Sequence, residues 1–140
     1  MNYNHGQEKE MTDAKTYYLE QNYNCAESIL REANEKYQLG LTDQAMKLVA
    51  GFGGGMGCGK ACGALCSCIA VLSSLYCQDK AHETAGFKEK CALFVQDFLK
   101  ANNSLNCEDI KKTNFASDGT RCLKTVLQAQ ELLDIFVKSN

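Results

Sequence analysis

Between Gly51 and Gly59 the chain carries six glycines. The segment that follows, Ala61 to Cys77, is apolar nearly all round. A tract so rich in glycine breaks regular structure, takes up positive φ readily and lets the backbone approach a neighbour closely. A helix without a polar face has to be buried. The chain is therefore expected to fold around a central buried helix entered through a glycine-rich loop. Proline is absent, β-branched runs are scarce, and Ala, Leu, Glu, Lys and Gln are common. These features predict an all-α fold, a single-domain bundle of about six helices. At 140 residues the chain is expected to form one domain over 1–140, with 1–10 as a flexible polar lead.

Local signals place the helices. Helix 1 is expected from Lys9 to Gln21. Helix 2 starts at Asn24, an N-cap residue with Glu27 three positions on as capping-box partner. Its apolar stripe is Ala26, Ile29, Leu30, Ala33 and Tyr37. Helix 3 begins after Thr42 and presents Leu41, Ala45, Leu48, Val49 and Phe52 at helical spacing. The central helix, Ala61 to Cys77, comes next. Helix 5 is expected from Lys80 to Ala101, with Phe87, Cys91, Phe94, Val95 and Phe98 on one face. A short turn of helix is expected near Cys107, and a last helix from near Arg121, bearing Val126, Ala129, Leu133, Phe136 and Val137.

Charge and patterning exclude several functions. The net charge is −2, with 15 basic and 17 acidic residues interspersed. No basic patch favours nucleic acid or an anionic membrane surface. Met1 to Glu10 lacks the apolar core of a signal peptide. No apolar run is long enough to span a bilayer. The expected compartment is the cytoplasm. There nine cysteines read as metal-binding, catalytic or buried residues rather than as a disulfide framework.

The positions of those cysteines carry the chemistry. Cys25, Cys62, Cys107 and Cys122 each fall where a helix is expected to start. Free N–H groups and positive partial charge at helix N-termini favour thiolates. If the four converge, they form a site for a metal cluster or for thiol exchange. Cys58 lies in the glycine loop, four residues before Cys62, as a resolving thiol or an extra ligand. Cys91, on an aromatic stripe, reads as a small buried hydrophobe, and so do Cys66, Cys68 and Cys77. No C-x-x-C pair occurs, which excludes a thioredoxin motif. Gly54, Gly59 and Lys60 fit the start of a phosphate loop, but Ala61 stands where that motif needs Ser or Thr. His5 and His82 lie in polar stretches and read as solvated residues.

In order and spacing these residues resemble the C_GCAxxG_C_C family, whose members are described as redox-active proteins. The early cysteine corresponds to Cys25 in Asn24-Cys25-Ala26-Glu27. The glycine-rich approach from Gly51 to Gly57 is similar to the family's. The central motif matches as Cys62-Gly63-Ala64-Leu65-Cys66, and the later pair as Cys107 and Cys122. Ser67 replaces the closing glycine of the motif. The similarity covers nearly the whole chain after Thr16. It implies an all-helical redox protein, related to the iron–sulfur part of split-Soret cytochromes. The haem pattern C-x-x-C-H is missing, so only the iron–sulfur side of that relationship applies.

Three functions stay open at this point. The first is an iron–sulfur protein for electron transfer or sensing, with Cys25, Cys62, Cys107 and Cys122 as ligands. The second is a thiol–disulfide oxidoreductase in which Cys62 attacks and Cys25 or Cys58 resolves. The third is a structural helical interaction module without chemistry. A redox protein partner is implied by the first two, and the apolar helix faces are compatible with a homodimer.

Overall fold

The computed structural model describes residues 11–140, so the expectation of a flexible 1–10 lies outside the described residues. Seven α-helices are present: α1 (Ala14–Leu19), α2 (Cys25–Lys36), α3 (Asp43–Met46), α4 (Gly63–Tyr76), α5 (Phe87–Asn102), α6 (Cys107–Asn114) and α7 (Leu123–Ser139). No strand occurs among the described residues, only two isolated bridges, Ala61 with Asn106 and Ala116 with Arg121. The fold is all-α, and α4 is its centre. It packs on α2, α5, α7 and the turn before the glycine loop. Val71, Leu72 and Cys68 are fully buried along it, as an apolar helix requires.

The caps follow the sequence closely at α2. Asn24 accepts from the Glu27 N–H at 2.9 Å, and Glu27 accepts from the Asn24 N–H at 3.0 Å. This reciprocal pair fixes where the helix begins, and so fixes Cys25 as its first residue. At the other end of α2 the polar groups are tied to α1 and α7. The buried Glu32 accepts from the Ala14 N–H at 2.8 Å. Lys36 bonds to Asp134 at 2.8 Å, and the Tyr37 hydroxyl also donates to Asp134.

The α2–α4 crossing explains the serine in the motif. Ser67 is fully buried, and its hydroxyl donates to the Ala26 carbonyl at 2.6 Å. The hydroxyl satisfies a carbonyl across the crossing, a contribution of about 1 kcal/mol. Gly63, by contrast, has no room to grow. A Cβ there would lie 2.6 Å from the Phe52 carbonyl oxygen and 2.8 Å from Cys25 Sγ.

Several expectations need correction. Helix 1 starts at Ala14, capped by Asp13, and ends at Leu19 rather than Gln21; Lys9 and Glu10 lie outside the described residues. Helix 3 lasts one turn and continues as a 3₁₀ helix over Lys47–Phe52. Its tighter winding aligns Met46, Val49 and Phe52 at every third residue. Leu48 therefore turns outward and is 80 % exposed, not part of the core stripe. Helix 5 does not run from Lys80. A 3₁₀ turn covers Ala81–Glu83, and Gly86 at φ 78° resets the chain before Phe87. Cys91 is half-buried beside the fully buried Phe94 and Phe98, and Cys66 and Cys77 are half-buried as well.

Replacing Gly63 with Ala should lower unfolding stability by about 1–3 kcal/mol in a urea titration. Gly51→Ala, at a site with open space, should stay within about 0.5 kcal/mol of the native chain. Equal stability of the two variants would contradict the close approach of α4 to α2 and Phe52.

Candidate functional site

Two backbone hydrogen bonds bring the first half of the site together. The Cys62 N–H donates to the Leu105 carbonyl at 2.8 Å, and the Cys107 N–H donates to the Lys60 carbonyl at 2.7 Å. They flank the antiparallel bridge between Ala61 and Asn106. The starts of α4 and α6 are thereby held side by side. The glycine loop makes this possible. It takes the left-handed region at Gly54, Gly55 and Gly57. A Cβ at Gly55 would lie 2.5 Å from the Cβ of Cys107. Asn24, the α2 cap, also holds this segment, donating to the Ala50 carbonyl at 2.9 Å.

α1 and the loop before α7 supply the second half. The Tyr18 hydroxyl accepts from the Cys122 N–H at 3.1 Å. Arg121 stacks over the Tyr18 ring at 4.3 Å and donates to the Tyr18 carbonyl at 3.2 Å. Arg121 sits at φ 52°, a region that L-residues rarely occupy. Its backbone pairs with Ala116 through bonds of 2.9 and 3.2 Å. α7 begins two residues after Arg121, with Cys122 as its N-cap.

The four helix-start cysteines meet as a result. Cys25, Cys62, Cys107 and Cys122 all line one inner cavity, with Gly63, Ile110 and Thr125 among its other walls. That cavity, about 20 Å³, has room for about one water. Cys25, Cys107 and Cys122 also line an adjoining outer cleft of about 200 Å³. Tyr18, Asn24, Gly54, Lys111, Phe115 and Arg121 complete its lining. Cys58 is exposed, its thiol 3.7 Å from the Gly55 carbonyl, and it lines neither space. Cys68 is fully buried inside α4, 3.8 Å from the Ala129 carbonyl.

At Cys25, Cys62 and Cys122 burial outweighs the helix ends and disfavours the thiolate. It pushes Cys62 up to about 12, although the N–H groups of Ala64 and Leu65 pull the other way. It also raises Cys25, against the N–H groups of Gly54 and Ala26. Cys122 is raised by burial too, while Lys111 and Arg121 pull it down. Negative charge on Cys25 or Cys107 raises both Cys62 and Cys122 further. The expectation of stabilised thiolates at the helix N-termini is therefore corrected at Cys25, Cys62 and Cys122, where desolvation outweighs the helix-terminal field.

The donor set is four thiols, with no carboxylate or imidazole in either lining. Such a set suits zinc or iron–sulfur chemistry rather than magnesium or calcium. Among the described residues, no three His, Cys, Asp or Glu side chains are grouped so as to hold a single metal ion. A lone zinc at about 2.3 Å from each sulfur would need them so grouped.

Residues that the sequence reading did not single out also belong here. Lys111 lies one helical turn after Cys107, and Arg121 lies next to Cys122. Their spacing from the cysteines is the signal that could have found them.

The fold and site define a class: an all-helical protein whose helix N-termini gather four cysteines around one inner cavity. Residues 23–135 match the family described as putative redox-active protein (C_GCAxxG_C_C), and the chain belongs to that family. Neither a curated protein nor a solved structure matches it. No helix of the described residues is long and apolar enough to cross a membrane.

The raised thiols carry a sign. Burial pushes the Cys62 thiol up to about 12 from an ordinary value of 9.0. Its contribution to stability is fully present below pH 9 and is lost as the pH rises toward 12. Urea stability of the metal-free protein should fall across that window, and Cys62→Ala should flatten the fall. At pH 8 iodoacetamide should label Cys58 and spare Cys62 in the native fold. Rapid labelling of Cys62 would contradict its burial.

Proposed function

We propose that this redox-family protein binds an iron–sulfur cluster where Cys25, Cys62, Cys107 and Cys122 converge and serves in electron transfer or sensing. The observation that carries the reading is the convergence of Cys25, Cys62, Cys107 and Cys122, from four helix starts, on one cavity. These residues would hold the cluster. When bound, it would supply a one-electron couple.

The chain's own groups prepare the site. The Asn24–Glu27 box sets Cys25 at the first position of α2. The bonds from Cys62 to Leu105 and from Cys107 to Lys60 fix the spacing of α4 and α6. Ile110 and Ala64 give the inner wall its apolar character and exclude water. The N–H groups of Ala64 and Leu65 act on the Cys62 sulfur and those of Gly54 and Ala26 on the Cys25 sulfur, and such donors raise a cluster's potential. Binding would release the thiol protons, so loading should weaken as the pH falls.

Cys62 is 5 % exposed, and burial disfavours its thiolate. Both features weigh against the thiol–disulfide alternative, which needs Cys62 as an accessible, ionised attacker. We assign the protein to the cytoplasm, where reducing pools keep such thiols free, and expect a separate redox protein as its partner.

Protein purified without oxygen should contain near-stoichiometric iron and acid-labile sulfide, with visible charge-transfer absorption. Serine at Cys25, Cys62, Cys107 or Cys122 should remove most of both, while Cys91→Ser should keep them. Native protein free of iron and sulfide would overturn the reading.

A further inference from the structure

The charged side chains around the cleft fall into two groups. Lys60 pairs with Glu108 at 3.6 Å, and Lys112 pairs with Asp109 at 3.6 Å. Both pairs are exposed, so their charges are locally balanced. Lys111 and Arg121 line the outer cleft itself, and among the described residues neither forms an ion pair with a carboxylate. Their neighbours are aromatic: Lys111 Nζ lies 5.8 Å from the Phe115 ring, and Arg121 stacks on Tyr18 at 4.3 Å. No acidic side chain lines the cleft.

The backbone adds to this positive character. α2, α6 and α7 all begin at the cleft, with Cys25 and Cys107 as first residues and Cys122 as N-cap. Partial positive charge at such ends favours anions. Phe115 is 48 % exposed and stands at the mouth. With Lys111, Lys112 and Glu108 it also lines a separate shallow groove of about 350 Å³. Two unpaired cations, three helix starts and an open aromatic wall therefore face one space of about 200 Å³.

We propose that the outer cleft is a binding site for a small organic anion, with its oxyanion group between Lys111 and Arg121 and its apolar part against Phe115. Cys122 is among the residues that line this site, so a bound anion covers its thiol. The cations and the aromatic wall are present whatever the thiols hold, so this inference does not rest on the iron–sulfur reading.

Alkylation of the reduced, metal-free chain tests it directly. Anionic iodoacetate and neutral iodoacetamide are compared at each cysteine by mass mapping, with and without inorganic phosphate at constant ionic strength. The ratio of iodoacetate to iodoacetamide rates at Cys122 and Cys25 should exceed that at Cys58 by about tenfold. Phosphate should protect Cys122 saturably and leave Cys58 unprotected. The double variant Lys111→Gln, Arg121→Gln should bring the ratio at Cys122 down to that of Cys58, while Lys112→Gln should not change it. Continued protection of the buried Cys68 reports that the variants are folded. If the double variant unfolds, the ratios and the phosphate protection in the native chain decide the matter. Equal ratios at Cys122 and Cys58, no saturable protection, or a ratio that survives the double substitution in a folded protein would overturn the proposal. Iron and sulfide content is read separately, so failure here is distinct from failure of the cluster.

Discussion

Two backbone hydrogen bonds, Cys62 to Leu105 and Cys107 to Lys60, hold the site together. They join segments more than forty residues apart in sequence and leave two helices starting side by side. Each bond uses an N–H at a helix start, where the helix itself offers no partner. The same pairing presses the glycine loop against Cys107, which is why Gly55 has no space for a side chain. The inner cavity follows from this clamp, with Cys25 added by the α2 cap and Cys122 by the Tyr18 hydroxyl.

The balance of forces at the sulfurs is the second theme. Helix N-termini stabilise a thiolate by a fraction of a charge within the first turn. Removing a thiolate from water costs more at the depth of Cys62. In the metal-free site burial therefore disfavours the thiolates of Cys25, Cys62 and Cys122, and Lys111 is the cation among the walls of the inner cavity. A site of this kind suits a buried group that takes its ligands with loss of protons. It suits an exposed nucleophile poorly.

Much of this could be read from the chain. Asn24 and Glu27 announce the α2 cap, the apolar run after Ala61 announces the central helix, and the four helix-start cysteines are found together. Other features depend on tertiary contacts that periodicity does not encode. Leu48 faces outward because its segment winds as a 3₁₀ helix against α2 and α4. Arg121 enters the left-handed region because its pairing with Ala116 and its stacking on Tyr18 hold it there. Ser67 replaces the motif glycine because a carbonyl of α2 lies within its reach. The upward shift of the Cys25, Cys62 and Cys122 thiols is not written in any helix end, because burial depth is a property of the assembled core.

Cys25, Cys62, Cys107 and Cys122 form one site around the inner cavity. Phenylarsine oxide, which bridges neighbouring thiols, tests it most directly on reduced, metal-free protein. Peptide mapping should recover arsenic bridges between pairs drawn from these four, with Cys58 and Cys91 unbridged. Bridges confined to other cysteines, or none at all among the four, would contradict the convergence on which the site depends.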